Sequence, residues 1–351
     1  MTALVVQTSF LGDVVLTTPL IAELATREPV DVLTTPEGSR ILRNNPDIRN
    51  TIVFDRKDAD RGVVGFIKTI DRIRHAGFFA LSPDVEPAPD PFYDTAYLCQ
   101  GSMRSALLVK ATGIANRIGF NTSEGSRFYT GRVEYRPDLH HAERLWLLSK
   151  GTGESPPSRE QVAPRLFPSP EDHRAVHTLL GEGLTDPARP LFALAPGSAW
   201  GTKRWPFYHE LAVKIASTGN VVVIGGNADV ATGDTIVAQL PNGCAVNAAG
   251  RLSILASAAL IGHATALISN DSAPQHLASA MNTPTVVVFG PTVPAFGFGP
   301  MAEKSAVAGI DGLKCRPCDR HGPQKCPLGH WRCMREVSSS DVFALLTTTL
   351  S

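Results

Sequence analysis

Asp271, Ser272 and His276 fall within six residues of one another in DSAPQHLASAMN, just after the apolar run ATALIS. A carboxylate, a hydroxyl and an imidazole so close could form a hydrolase triad, part of a metal site, or the start of a phosphate-binding helix. The triad is disfavoured because Ser272 is not in a GxSxG elbow and no strand-end acid is placed to orient His276. A metal centre needs more ligands than Asp271 and His276 supply. Pro274 suits the first turn of a helix. Amide hydrogens at a helix start, with the dipole behind them, bind phosphate, and His276 lies close enough to join in. The plain alternative is a capped helix with an incidental histidine.

Three further stretches carry candidate groups. In SFLGDVVLTTP (9–19), Gly12 reads as a turn after a strand and Asp13 as a carboxylate at the next helix start; capping is its ordinary role. In APGSAWGTKRWP (195–206), Gly197 and Ser198 offer amides and a hydroxyl, and Lys203 a mobile positive charge for a phosphate. The plain reading there is a solvated Lys-Arg pair. In VVVIGGNADVATGD (221–234), Gly225 and Gly226 close a strand, and Asp229 or Asp234 could accept hydrogen bonds from ribose hydroxyls. An N-cap is the plain reading for both, and the stronger one for Asp234.

A fifth stretch, GLKCRPCDRHGPQKCPLGHWRCMRE (312–336), has the spacing C-x2-C-x7-C-x6-C. Cys315, Cys318, Cys326 and Cys333 could hold zinc or an iron–sulfur cluster, form disulfides, or stay reduced and pin a loop. A structural role is favoured over metal. Lys314 to Arg335 carries six basic residues and one acidic; Cys99 to Arg136 carries six and two. These basic stretches could meet an anionic substrate or be ordinary surface.

The chain must fold so as to bring such groups together. Its 351 residues suit two domains. Lys+Arg and Asp+Glu both total 33, so net charge points to no polyanion and no nucleic-acid partner is expected. No apolar stretch approaches the ~20 residues of a membrane span. MTALVVQTSFLGDVV reads as a first strand, not a signal peptide. A cytoplasmic chain with reduced thiols is expected, and Cys99 and Cys244 read as core residues.

Strands are expected at ALVVQ (3–7), 30–35, 50–55 and 117–120, with helices at PLIAELATR, 62–77 and 104–112. A Pro-rich stretch, 154–172, reads as a linker. A second series follows, with strands in 191–197, 220–226, 265–271 and 283–290, and helices in 205–217, 252–264 and 276–282. Strands alternating with helices imply parallel βαβ units, here two doubly wound domains with a cleft between them. A final helix is expected over SSSDVFALLTTTL, with Ser340 or Asp341 near its start. Neither a GxxxxGK[ST] motif nor a GxGxxG after the first strand occurs, which weakens a nicotinamide oxidoreductase reading.

The pairing of SFLGDVVLTTPLIAEL with SNDSAPQHLASAMNTPTVVVFGPTVP resembles the ADP-heptose:lipopolysaccharide heptosyltransferases of glycosyltransferase family nine. QGSMRSALLVKATGIANRIGF, HAERLWLL, PGSAWGTKRWP and VVVIGGNAD agree, and the Cys-rich tail is similar to that of heptosyltransferase II-like members. The resemblance implies a GT-B fold: two Rossmann-like domains facing across a cleft. Residues 1–165 would bind the acceptor, residues 166–335 the nucleotide sugar, and 337–351 would form a helix returning to the first domain.

The resemblance also implies roles for individual residues. Asp13 matches the general base, and Gly12 and Arg104 fall in the acceptor region. Ser198 and Lys203 match donor-phosphate positions, Asp229 the ribose contact and Leu252 the adenine neighbourhood. Asp271, Ser272, the backbone at Ala273 and His276 match a pyrophosphate motif, although the family often has glycine at 273. The implied activity is inverting transfer of heptose from ADP-heptose to a lipid-anchored lipopolysaccharide inner-core sugar, with no cofactor required. Peripheral contact with the inner face of the inner membrane, through the basic stretches, is a further expectation. Rival readings are a transferase for another nucleotide sugar or acceptor, a non-catalytic nucleotide-sugar binder, and an epimerase.

Overall fold

The computed structural model describes residues 2–76 and 92–351. They form two units, Met1–Pro164 and Arg165–Ser351, dividing inside the Pro-rich stretch. Gly77, with which the helix expected over 62–77 ends, lies outside the described residues.

The first unit runs β1 (Ala3–Gln7), α1 (Leu11–Leu16), α2 (Thr18–Ala25), β2 (Val30–Thr34), α3 (Pro36–Ile41), β3 (Asn50–Val53), α4 (Gly62–Arg74) and β4 (Thr95–Leu98). It continues through α5 (Met103–Thr112), β5 (Asn116–Phe120), β6 (Gly131–Val133) and α6 (His141–Leu147). Its six strands are parallel, in the order β3-β2-β1-β4-β5-β6. Every residue of ALVVQ is buried, because β1 is central and covered on both faces. The apolar core of this unit includes Leu4, Val6, Leu33, Ile73 and Leu98.

The second unit runs α7 (Pro170–Gly183), β7 (Leu191–Ala195), α8 (Tyr208–Ala216), β8 (Asn220–Val223), α9 (Val230–Val237), β9 (Ala245–Asn247) and α10 (Ile254–His263). It continues through β10 (Ala266–Asn270), α11 (Ala273–Met281), β11 (Thr285–Val288), β12 (Ser305–Ala308), α12 (Arg332–Arg335) and α13 (Ser339–Leu350). Its strand order, β12-β11-β10-β7-β8-β9, repeats that of the first sheet read from the other edge. In both sheets the chain reverses direction of travel next to the first strand, between β1 and β4 and between β7 and β10. Such switch points open a crevice outside the carboxyl ends of the strands, where ligands of doubly wound sheets bind.

The final helix forms within SSSDVFALLTTTL as expected, with Ser340 and Asp341 in its first turn: Ser338 is its N-cap, accepting from the Asp341 amide at 3.1 Å, while Asp341 accepts from the Ser338 amide at 3.2 Å. The reciprocal pair satisfies two orphan amides. The buried Val342 and Leu346 of this helix lie in the core of the second unit, against α8, β11 and β12. Not expected were the longer α6, α7 and α9, with α7 beginning inside the Pro-rich stretch, nor α3, β4, β6, β9 and β12, which are three to six residues long. Runs so short show no full period. No helix among the described residues is long and apolar enough to cross a membrane.

Candidate functional site

At the carboxyl end of β1, helix α1 starts at Leu11, so Gly12 is buried in its first turn rather than forming the turn before it. Asp13 follows on the same turn. Phe10 is the N-cap residue of that helix; the Ser9 hydroxyl lies 2.8 Å from Asp13 Oδ2, and His141 Nε2 lies 3.7 Å from its Oδ1. Behind Ser9, Gln7 Oε1 is 2.6 Å from the hydroxyl, while Gln7 Nε2 donates to Thr17 Oγ1 at 3.0 Å. Thr17 in turn donates to the Asp13 carbonyl at 2.7 Å. Asp13 is thus held from three sides while a fifth of its side chain stays open to solvent. A positioned, partly exposed carboxylate suits proton transfer to or from a bound hydroxyl. Arg104 is exposed on the first turn of α5.

The second unit joins the candidates of three separate stretches. Lys203, after β7, places Nζ 2.5 Å from Asp271 Oδ2, after β10. Thr292 Oγ1 donates to the same Asp271 oxygen at 2.6 Å, and Gln275 Nε2 donates to Oδ1 at 2.8 Å. Lys203 and Asp271 are each only 8% exposed, so the pair survives burial because every strong group in it is hydrogen-bonded. The plain reading of Lys203 as a solvated cation is therefore incorrect. The oxygens of Asp271 are thus engaged by three donors, one of them the Lys203 ammonium.

Asn270, fully buried, stitches the two strand ends together. Its Nδ2 donates to the Pro196 carbonyl at 2.8 Å, and its Oδ1 accepts from the Trp205 amide at 3.2 Å. Beyond it Ser272 is the N-cap residue of α11, with Ala273 and Pro274 opening the helix and His276 buried in it. Pro274 has no amide hydrogen, and that of Gln275 donates to the Ser272 carbonyl at 3.2 Å. The helix start therefore offers fewer free amides than its first turn would without the proline.

The Ser198 hydroxyl accepts from the Trp200 amide at 3.2 Å, closing the turn after β7. Asp229, after β8, accepts from the Gly226 amide at 2.9 Å. Its carboxylate packs so tightly on the β7 turn that a Cβ at Gly197 would lie 2.5 Å from Oδ1. Asp234 is not an N-cap; it lies within α9 and accepts from Asn247 Nδ2 at 2.7 Å. Leu252, half-buried, precedes Ser253, whose hydroxyl caps α10.

All six cysteines are free thiols. Among the described residues no three or more His, Cys, Asp or Glu side chains are grouped to hold a metal ion; Cys315 Sγ lies 3.8 Å from His330 Nε2. The Cys-rich segment lies on the Lys203 loop: Gln324 Oε1 accepts from the Gly201 amide at 3.0 Å, and Gln324 Nε2 donates to the Ala199 carbonyl at 2.9 Å.

Sequence reasoning missed Ser9, His141, Asn270, Thr292 and Gln324 as site residues. Ser9 and Thr292 lie at strand ends inside quoted motifs, and that position was a usable signal. His141, at the head of HAERLWLL, and Gln324, in the Cys-rich stretch, carried no local sign of their partners, because each reaches its partner from more than a hundred residues away.

Two doubly wound parallel sheets, one with the Lys203–Asp271 pair at its switch point and the other with Asp13 at its own, have the architecture of the GT-B class of α/β glycosyltransferases. Residues 91–330, well over half of the chain, match the sequence pattern of Glycosyltransferase family 9 (heptosyltransferase). The chain belongs to that family.

Lipopolysaccharide heptosyltransferase 2 of Escherichia coli is 31% identical over 229 residues, covering 61% of this chain and 64% of that protein. Lipooligosaccharide heptosyltransferase 2 of Haemophilus influenzae is 35% identical over 154 residues, covering 41% and 42%. The matches thus span less than two thirds of these relatives. The likeness to lipooligosaccharide heptosyltransferase 2 of Haemophilus ducreyi is longer, 26% over 88% of both chains. The fold matches the structure of E. coli ADP-heptose LPS heptosyltransferase II, with TM-score 0.76, 22% identity and coverage of 100% and 98%. It also matches a family 9 glycosyltransferase from Veillonella parvula, with TM-score 0.81, 20% identity and coverage of 99% and 97%.

Proposed function

We propose that this protein is an inverting glycosyltransferase that moves heptose from ADP-heptose to a sugar hydroxyl of the lipopolysaccharide inner core. Its acceptor is assigned to the first unit, with Gly12 and Arg104 in its neighbourhood, and its donor to the second. Asp13 takes the proton from the acceptor hydroxyl. That oxygen attacks the anomeric carbon from the face opposite the diphosphate, and ADP leaves with the bonding electron pair.

Charge growing on the leaving diphosphate is met by Lys203, with the Ser198 hydroxyl, Ser272, the Ala273 backbone and His276 around it. Asp229 is assigned to the ribose hydroxyls and Leu252 to the adenine. The observation that carries the donor assignment is the Lys203–Asp271 pair at the switch point of the second sheet. The names of the relatives, heptosyltransferases of lipopolysaccharide and lipooligosaccharide, support the sugar and the acceptor class. Work on a lipid-anchored acceptor would bring the protein to the inner face of the membrane as a peripheral visitor.

Asp13→Asn tests the base. Transfer to truncated lipopolysaccharide cores falls by about 10²–10⁴-fold while ADP binding, read by calorimetry, survives. Near-normal turnover would overturn the assignment. Faster turnover with another nucleotide sugar would overturn the donor.

A further inference from the structure

We infer that the Cys-rich segment is a strap whose work is to hold Lys203 in place for the donor phosphates, with Gln324 as its positioning residue. This rests on the donor assignment above.

Within residues 198–204 the loop that carries Lys203 is closed by the Lys203 amide to the Trp200 carbonyl at 3.0 Å, the Arg204 amide to the Gly201 carbonyl at 3.2 Å, the Trp200 amide to the Ser198 hydroxyl at 3.2 Å and Arg204 Nε to the Ser198 carbonyl at 2.9 Å. Four further polar groups of the loop bond to residues 323 and 324. Gln324 spans two of them, accepting from Gly201 and donating to Ala199. The Pro323 carbonyl accepts from the Thr202 amide at 3.2 Å and also from the Thr202 hydroxyl. His321 stacks on Trp200, with ring centroids 6.0 Å apart and planes 14° from parallel.

Two glycines permit the close approach. A Cβ at Gly201 would lie 2.3 Å from the Gln324 carbonyl oxygen. At Gly322, where φ is +85°, a Cβ would lie 3.5 Å from Lys203 Cε. Gly322 therefore lies beside the end of the lysine stem.

The other end of the segment grips the other partner of the pair. The Cys318 amide donates to the Pro291 carbonyl at 2.9 Å, and Arg316 Nε donates to the Thr292 carbonyl at 3.2 Å. Thr292 is the residue whose hydroxyl donates to Asp271. One stretch, 316–324, thus fixes both the arm of Lys203 and the anchor it rests on. A free lysine side chain has rotamer entropy to lose on binding an anion. Fixing it beforehand tightens donor binding without any new donor contact.

Gln324→Ala tests this. The side chain is exposed, so its loss opens no core cavity. We expect the Kd for ADP and the KM for donor to rise about tenfold, as loss of two hydrogen bonds allows, with the acceptor KM unchanged. Acetylation of Lys203 by acetic anhydride, mapped by peptide mass spectrometry, should quicken several-fold because the lysine is no longer held under the strap. Thr202→Val, which removes only the hydroxyl contact, should move both readouts the same way and by less. Wild-type acetylation rates at Lys203 in both variants would overturn the inference, as would an acceptor KM rising as much as the donor KM. If the wild-type protein itself binds no ADP, the donor assignment fails, while the acetylation rates still judge the strap.

Discussion

Lys203 Nζ lies 2.5 Å from Asp271 Oδ2, although 68 residues separate them in the chain and both side chains are about nine-tenths buried. Two loops at the carboxyl ends of adjacent strands create this contact, and neither partner is stable there alone. Removing Lys203 strands a buried carboxylate; removing Asp271 lets the ammonium swing away from its post.

The first prediction follows from that asymmetry. Lys203→Met should lower unfolding stability by roughly 3–5 kcal/mol in urea titrations and abolish measurable ADP binding. Asp271→Asn keeps an oxygen acceptor, so it should cost less stability while still weakening ADP. Equal stability losses in the two variants would contradict the picture of Asp271 as an anchor.

Ser9 should matter for turnover and not for the nucleotide. Its hydroxyl touches Asp13 Oδ2 at 2.8 Å, in a network that reaches Gln7 and Thr17. Ser9→Ala should lower kcat about tenfold, the scale of one hydrogen bond to a charged group, with ADP affinity unchanged. Steady-state kinetics beside calorimetry check it; a loss confined to acceptor KM would count against a positioning role.

Gly197→Ala places a methyl group 2.5 Å from Asp229 Oδ1, inside van der Waals contact. Asp229 must shift, and the turn after β7 with it. We expect ADP affinity to drop about tenfold, with overpacking costing roughly 1–3 kcal/mol of stability. Gly226→Ala, where a Cβ meets nothing within 4 Å, serves as the contrast.

The thiols of the Cys-rich segment should differ in reactivity. Burial, then the neighbouring thiols of Cys318, Cys326 and Cys315, pushes Cys333 up to about 11. Cys326 goes the other way: slight burial opposes its ionisation, but the amides of Trp331, Leu328, His330 and Gly329 outweigh it. Iodoacetamide at neutral pH, followed by mass spectrometry, should therefore label Cys326 before Cys333. For stability the sign is clear. The folded state holds the Cys333 proton more tightly than the unfolded chain, so its contribution is present below the ordinary thiol pKa and is lost as pH rises from there through about 11. A denaturation midpoint that rises over this range, in wild type relative to Cys333→Ala, would contradict it.

Much of this molecule was decided locally. The apolar runs ALVVQ, LFALA and TVVV are buried strands because such runs can be satisfied only inside a sheet covered on both faces. Pro274 marks a helix start wherever it is placed, since its fixed φ suits the first turn. Asp13, Lys203 and Asp271 could each be singled out as chemically capable from type and neighbours alone. Tertiary structure decided what they do to one another. That Asp271 pairs with Lys203, that Gln324 pins the lysine loop, and that Ser9 and His141 flank Asp13 depend on side-chain distances between segments far apart in the chain. Local propensity acts over a few residues, whereas a carboxylate's role is set by whichever donors lie within about 3 Å of it, and parallel crossovers bring those donors from distant stretches.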